Sequence, residues 1–335
     1  MRYPVTLISG DGIGPEVTAA AVKAMAATGV PIDWDPVELN ASVILAAGKS
    51  LPDPVVESLK RTRLGLKGPV TTPVAGGFQS VNVALRKKFD LFANFRPVIQ
   101  IPGIPSRFES TAIDIVLFRE NTEDLYSGLE QEIVPGVVTG LKVITRTASE
   151  RIARKAFEFA QLHGRKKVTA IHKANIMKQA DGLFLSCCRE VAIEYPALEY
   201  TEMIVDNASM QLVMNPTQFD VLVLPNLYGD IISDLCAGLV GGLGVVPGAN
   251  LGENFAVFES VHGSAPDIAG KGLANPTAIL QCCVLLLAHI GEKEAARRLH
   301  GAIVKTYAEG KHLTRDIGGT AGTEEFTDAI VAAMR

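Results

Sequence analysis

No apolar run in this chain approaches the length of a membrane span. The longest, Cys282 to Ile290, is far short of the roughly 20 residues a spanning helix needs. The positive mean hydropathy therefore reports core, and no membrane partner is expected. Charge of one sign is also missing: the formal net charge is −4 and the pI near 5.9, which argues against a surface built to grip a phosphate backbone. No nucleic acid is expected among its partners, though a positive pocket inside a mildly acidic protein is compatible with these totals. Cysteine is scarce and wrongly spaced for metal or disulfide work. The five residues, Cys187, Cys188, Cys236, Cys282 and Cys283, include no C-x-x-C pair, form an odd total and have apolar neighbours, so they read as reduced core thiols. The opening Met1-Arg2-Tyr3-Pro4 has neither an apolar signal region nor an amphipathic transit pattern, and the expectation is a cytoplasmic protein. Internal repeats and low-complexity tracts are lacking as well.

What the chain does have is core. With 335 residues, 47% of them hydrophobic, it is long enough for about two domains. Strand-like apolar runs alternate with helical patterns: Thr6 to Ser9, then Val17 to Ala27, then Leu64 to Lys67, then Val81 to Asp90. Further runs at Asp114–Phe118, Val168–His172 and Val221–Pro225 each end in a polar cluster. This alternation predicts an α/β fold, in which ligand groups gather at the carboxyl ends of strands. Proline and glycine punctuate Gln100–Phe108, and glycine crowds Gly238–Gly252. Crossings at both places would join the first 98 residues to the C-terminal third in one discontinuous domain.

After the first strand the chain reads Gly10-Asp11-Gly12-Ile13-Gly14-Pro15-Glu16. A dinucleotide fingerprint needs G-x-G-x-x-G, and here the third glycine comes one residue early and is followed by proline. A classical Rossmann fold is not expected. Gly48-Lys49-Ser50 ends like a phosphate loop, but Val43 stands where its first glycine belongs. His262-Gly263-Ser264-Ala265-Pro266-Asp267 has no nucleophile elbow to serve.

Carboxylates are better placed. Asp230 and Asp234 are four apart and share a face if Gly229–Leu239 is helical, about 5 to 6 Å apart at Cβ. A solvated acidic face is the bland reading. Their apolar flanks, and the apolar Met203-Ile204-Val205 before Asp206, predict instead buried oxygen ligands for a cation, magnesium or manganese rather than zinc. Arg86, Arg96 and Arg119 are the matching cations: one arginine is commonly a surface ion pair, but three guanidinium forks suggest a polyacid. Lys173, after a strand-like run, is either an exposed lysine or a partly buried group suited to proton transfer. Tyr126 by itself reads as a packing residue.

Taken together, Gly10–Glu16, Phe118–Tyr126, His172–Asn175, Val205–Val213, Pro225–Leu239 and His262–Pro276 resemble the β-decarboxylating dehydrogenases of 2-hydroxy acids, the family of isocitrate, homoisocitrate and 3-isopropylmalate dehydrogenases. The resemblance covers essentially the whole chain. It implies two α/β domains, 1–98 with 248–335 as the larger, NAD-binding one and 99–247 as the smaller, carrying metal ligands and dimer contacts. It further implies that Ser80 and Asn82, in Ser-x-Asn-x-x-x-Arg, meet the γ-carboxylate of isocitrate, a tricarboxylic acid cycle substrate, where isopropylmalate enzymes are apolar. A polar pocket rejects an apolar analogue because its groups would be left unpaired. Arg86, Arg96 and Arg119 are then the carboxylate receptors, Asp206, Asp230 and Asp234 the metal ligands, and Tyr126 and Lys173 the acid–base pair. Lys173 and Asp206 would complete the neighbouring subunit's site, which makes a homodimer with shared sites the smallest active unit. Asp267-Ile268 stands where NADP-dependent relatives carry Lys-Tyr, so the implied cofactor is NAD; an aspartate accepts from a free ribose hydroxyl and repels a 2′-phosphate. Thr71 or Thr72 near the nicotinamide, with Glu259, His262, Gly263, Ala265, Asn275 and Asp316, completes the implied cofactor set. Two alternatives stay open: homoisocitrate dehydrogenase, and a non-catalytic regulatory subunit of an isocitrate dehydrogenase complex.

Overall fold

The apolar runs assemble into one ten-stranded sheet. The computed structural model describes residues 2–72 and 78–335. Its strands are β1 (Tyr3–Ile8), β2 (Ile32–Val37), β3 (Leu64–Lys67), β4 (Ala93–Ile99), β5 (Asp114–Glu120), β6 (Glu130–Val134), β7 (Val137–Gly140), β8 (Lys167–His172), β9 (Glu199–Ile204), β10 (Val221–Leu224), β11 (Pro247–Leu251) and β12 (Ala256–Ser260). The helices are α1 (Gly14–Ala27), α2 (Ala41–Ala47), α3 (Asp53–Thr62), α4 (Val81–Lys88), α5 (Arg146–Leu162), α6 (Ala180–Ile193), α7 (Val205–Met214), α8 (Asn226–Leu239), α9 (Thr277–His289), α10 (Lys293–Glu309) and α11 (Thr323–Ala333).

Strand order is β2-β1-β3-β12-β11-β4-β5-β10-β8-β9, with β6 and β7 as a separate hairpin. Parallel pairing holds at the two flanks, β2-β1-β3-β12 and β5-β10-β8-β9, while β11 and β4 are antiparallel to their neighbours. A Rossmann sheet is parallel throughout the equivalent region, so this α/β architecture is a different one, as expected. Because β12 lies between β3 and β11, the C-terminal third shares the sheet with the first hundred residues. The boundaries drawn at 98/99 and 247/248 fall inside β4 and β11, which pair with the strands beside them.

Strand ends differ from the sequence expectation where charge follows an apolar run. The run at Asp114–Phe118 predicts a strand ending at Phe118, but β5 continues through Arg119 and Glu120. Both side chains are buried because each has partners: Arg119 reaches Asn226 and Asp230, and Glu120 accepts from the backbone of Thr122 and Glu123. The five cysteines are all free and buried.

The Gly10–Glu16 turn has its own explanation. Gly10 and Gly12 adopt φ of +80° and +60°, and a Cβ on either would lie 1.9 Å from a carbonyl oxygen, of Pro69 and Ser264 respectively. The N–H of Asp11 donates to Pro69 (2.8 Å) and that of Ile13 to Ser264 (2.9 Å). Glycine is required here by the close approach of three backbone segments, and these two donors are spent within the protein. At the other phosphate-loop look-alike, Gly48 ends α2 in the left-handed region, and Lys49 pairs with Asp53.

Candidate active site

Five elements converge on a cavity of about 270 Å³ lined by Ser80, Asn82, Val83, Arg86, Arg96, Arg119, Tyr126, Asp230, Asp234 and Val261. α4 starts after Ser80 and turns Val81 and Leu85 into the core, leaving Asn82 and Arg86 on the cavity side. Arg86 lies in its last turn, where a cation is favoured by the helix dipole. β4 contributes Arg96, β5 contributes Arg119, a 3₁₀ turn at Asp124–Ser127 carries Tyr126, and α8 carries both aspartates.

All three arginines are buried. Arg96 donates through Nη1 to Ser233 (2.5 Å) and Asp234 (3.1 Å), with Asp230 at 3.8 Å. Arg119 donates through Nε and Nη2 to Asn226 Oδ1 (3.0 and 2.7 Å), and through Nη1 to Asp230. Its guanidinium also lies 5.0 Å above the Tyr126 ring. Among the described residues Arg86 has only Glu259, at 3.7 Å, and its Nε, like that of Arg96, is buried without a protein partner. Desolvation, then the neighbouring charge of Arg119, brings the Arg86 pKa down to about 10, and the same two causes lower Arg96. Three cations held this close await anionic oxygens: a carboxylate entering the cavity would satisfy unpaired N–H groups and relieve mutual repulsion at once.

Tyr126 is more than a packing residue. Its hydroxyl donates to Asp230 Oδ2. Burial, then this hydrogen bond, raises its pKa, so the phenol stays protonated and able to give a proton. Burial, the largest single influence, would raise Asp230, but the charge of Arg119, the hydrogen bond from Tyr126 and the charges of Arg96 and Arg86 together outweigh it and hold that carboxyl below its usual value.

The other half of the expected chemistry lies apart. Lys173, directly after β8, does not line this cavity; its Nζ pairs at 2.5 Å with Asp206, in the first turn of α7. Hydrogen bonding from Lys173 lowers the Asp206 pKa. Among the described residues no group of three metal-ligating side chains forms within the chain. The expectation that the aspartates are buried is corrected as well, since the side chains of Asp206 and Asp234 are 68% and 53% exposed. Their apolar sequence neighbours, such as Val205 and Ile232, turn to the core while the carboxylates face out.

The expected cofactor residues spread over two loops and a helix turn. Thr72 Oγ1 accepts from the N–H of Val81 (3.2 Å), and Thr71 Oγ1 meets Ser264 Oγ (2.9 Å). His262 hydrogen-bonds through Nδ1 to Gly263 O (3.0 Å) and, among the described residues, buries Nε2 without a protein partner. Ala265 has φ of +39°, Ile268 packs against the main core, and Asp267 is exposed. Asn275 donates to Asp316 (3.0 Å) and to the hydroxyl of Tyr307 (3.2 Å). Glu259 is different: it is buried, salt-bridged to Lys67 (2.7 Å) and hydrogen-bonded by Asn250 (2.7 Å).

Sequence reasoning missed the layer beneath the cavity. Lys67, Asn94, Asn121 and Asn250 are all buried, and Asn94 and Asn121 both donate to Asn250 Oδ1 (2.8 and 2.9 Å). Sheet register builds this layer: Lys67 is opposite Glu259, and Asn94 is opposite both Asn250 and Arg119.

Residues 4–330 match the family model for isocitrate/isopropylmalate dehydrogenase. The chain is 53% identical to a mitochondrial catalytic subunit of NAD isocitrate dehydrogenase from Arabidopsis thaliana, over 97% of this chain and 87% of that protein. It is 52% identical to the mitochondrial alpha subunit of the human enzyme, over 99% and 90%, and 50% identical to a mitochondrial regulatory subunit of the enzyme from Dictyostelium discoideum, over 98% and 90%. A crystal structure of isocitrate dehydrogenase from Methylococcus capsulatus superposes with a TM-score of 0.95 at 48% identity, covering 99% of both chains. The chain belongs to the isocitrate/isopropylmalate dehydrogenase family.

Proposed function

We propose that this protein oxidises isocitrate with NAD and decarboxylates the product to 2-oxoglutarate and carbon dioxide. One observation carries the substrate: Ser80 and Asn82 give the cavity a polar wall beside three desolvated arginines. An isopropyl group there would strand those polar atoms, whereas a carboxylate would pair with them. Homoisocitrate, longer by one methylene, is the near competitor, since such a difference is a weak discriminator.

In the proposed reaction Arg86, Arg96 and Arg119 hold the substrate carboxylates. Lys173 takes the proton from the C2 hydroxyl as hydride leaves C2, and Tyr126 gives a proton to C3 after carbon dioxide departs. Asp230 and Asp234 offer hard oxygen donors on one face of α8, which suits magnesium or manganese, with Asp206 as the third ligand. A divalent ion held by these residues would supply Lewis-acid polarisation of the substrate's oxygens. NAD fits the loop around Asp267, whose exposed carboxylate favours a free ribose hydroxyl.

Lys173 and Asp206 act in the site of a second copy, so the working unit is a homodimer with shared sites. Two features support this: the pair stands outside its own chain's cavity, and the β6–β7 hairpin exposes Ile133, Val134, Val137 and Val138. We place residues 1–98 and 248–335 in a cofactor-binding domain and 99–247 in a domain for metal and dimer contacts. No helix among the described residues is long and apolar enough to cross a membrane. A cytoplasmic location belongs to this proposal, although the Arabidopsis thaliana, human and Dictyostelium discoideum relatives named above are mitochondrial. A regulatory role is disfavoured by completeness, since every arginine, aspartate and proton-transfer residue is present in the sequence.

The test is a steady-state assay with magnesium in which isocitrate, homoisocitrate and isopropylmalate are each offered with NAD and with NADP. Turnover with isocitrate and NAD is expected. Preference for homoisocitrate overturns the reading of Ser80 and Asn82, preference for NADP that of Asp267, and silence from a folded dimer favours the regulatory alternative.

A further inference from the structure

Outside the cavity the most unusual group is a buried charge cluster. Asp124 and Asp181 are both 0% exposed, and between them lies the side chain of Lys142, 8% exposed. The ammonium is 2.5 Å from Asp181 Oδ1 and 3.8 Å from Asp124 Oδ1, and stands 4.2 Å above the Tyr228 ring. Two anions share one cation in the interior, and Asp124 Oδ1 has no hydrogen-bond partner among the described residues.

Stability does not explain such a group. Desolvating three charges costs about as much as their attraction returns, and well-packed apolar side chains serve as well or better. What the cluster does is fix backbone. The second oxygen of Asp181 accepts from the N–H of Lys173 (2.6 Å). The second oxygen of Asp124 accepts from the N–H of Leu227 (2.9 Å), in the first turn of the helix that carries Asp230 and Asp234. Asp124 itself opens the turn that carries Tyr126 and is held at a φ of +70°, a conformation that costs a non-glycine residue free energy. Lys142 thus joins three places on which the chemistry depends.

We infer that Lys142 is a positioning residue that, through Asp124 and Asp181, holds the Tyr126 turn and the Lys173 backbone in one fixed relation. This rests on the proposal that Tyr126 and Lys173 transfer protons. If those two residues serve different sites of a dimer, Lys142 links the two sites mechanically. The hydrogen bonds and ion pairs of this cluster lead to Lys173 and Leu227 and not to the Asp267 loop, so cofactor affinity is outside its reach.

The experiment compares Lys142→Met, Lys142→Arg and Asp124→Asn in the full chain, measuring kcat, the KM for isocitrate and, by calorimetry, the dissociation constant for NAD. An ångström-scale misplacement of a catalytic group costs on the order of 100-fold in rate, so Lys142→Met is expected to lose kcat on that scale with NAD affinity unchanged. Lys142→Arg, which keeps the charge, is expected to recover part of the loss. If Lys142→Met does not fold, Asp124→Asn decides: it leaves a balanced Lys142–Asp181 pair, tolerates positive φ, and is expected to lower kcat with NAD affinity intact. Wild-type kcat in a folded Lys142→Met or Asp124→Asn variant, or an NAD affinity that falls in parallel with kcat, overturns the inference. Tyr126→Phe and Lys173→Met run alongside: near-normal turnover in those sinks the proton-transfer reading, whereas their loss beside an active Lys142→Met sinks the positioning role alone.

Discussion

Arg119 and Lys173 both stand at the ends of buried parallel strands, yet their side chains meet opposite fates. Arg119 is 1% exposed and is held by Asn226 and Asp230, whereas Lys173 turns to an aspartate whose side chain is 68% exposed. Around Arg119 one chain assembles the proposed carboxylate receptor, with Arg86 and Arg96 beside it already desolvated and lowered in pKa. Around Lys173 it leaves a lone ion pair in solvent, where such a pair contributes little to stability. In the proposed reaction the fold of one chain thus supplies the arginines, and a second copy supplies Lys173.

The largest effects separate those limbs. Tyr126→Phe and Lys173→Met should each lower kcat by about 10²- to 10⁴-fold, the range for losing a general acid or base, while circular dichroism and Tm stay near wild type. Should Lys173→Met keep its rate, the exposed pair is only a surface ion pair and the comparison collapses. Next in size is the layer under the receptor. Burial would raise the Glu259 pKa, but Lys67, then Arg86, hold it at about 2 against an ordinary 4.5. A carboxyl lowered on folding adds stability above its unfolded value and loses it as pH falls from about 4.5 towards about 2. Lys67→Met should therefore cost roughly 3 to 5 kcal/mol in denaturant unfolding at pH 7, the usual loss when one partner of a buried pair is removed, and should shift the acid transition. An unchanged unfolding midpoint would mean that Arg86 and Asn250 suffice to neutralise Glu259. The smallest expected effect is on specificity. Asn82→Leu should raise the isocitrate KM with little change in kcat, costing about 1 to 3 kcal/mol in kcat/KM for a polar group left unpaired, and should leave the NAD KM alone.

The contrast also explains what the sequence could and could not reveal. Strands β3, β8 and β10 were legible because their apolar runs are bounded by turn residues, and Asp230 and Asp234 on α8 were legible from helical spacing, whereas Ser80 and Asn82 beside α4 were legible only through the family resemblance. Burial of individual charges was not. Arg119 looked like the start of a loop because its partners Asn226 and Asp230 lie about a hundred positions away, and Asp206 looked buried because its neighbours are apolar. The pairs Lys67–Glu259 and Asn94–Asn250 depend on strand register across the sheet, which the distance along the chain conceals. The Gly10–Glu16 turn shows the same limit: its spacing excludes the dinucleotide fingerprint, but only the fold shows that what approaches its glycines is the backbone of Pro69 and Ser264.

Shared sites are the central claim, and mixed dimers test them most directly. Tyr126→Phe and Lys173→Met chains, each inactive alone, are co-expressed with different affinity tags and assayed with isocitrate, magnesium and NAD. If Lys173 acts in its partner's cavity, each mixed dimer holds one doubly defective site and one intact site. Random pairing under two-fold symmetry then returns about a quarter of wild-type activity. Activity no higher than that of the parents, from a preparation shown to contain mixed dimers, would place Tyr126 and Lys173 in the same chain's site and contradict the account.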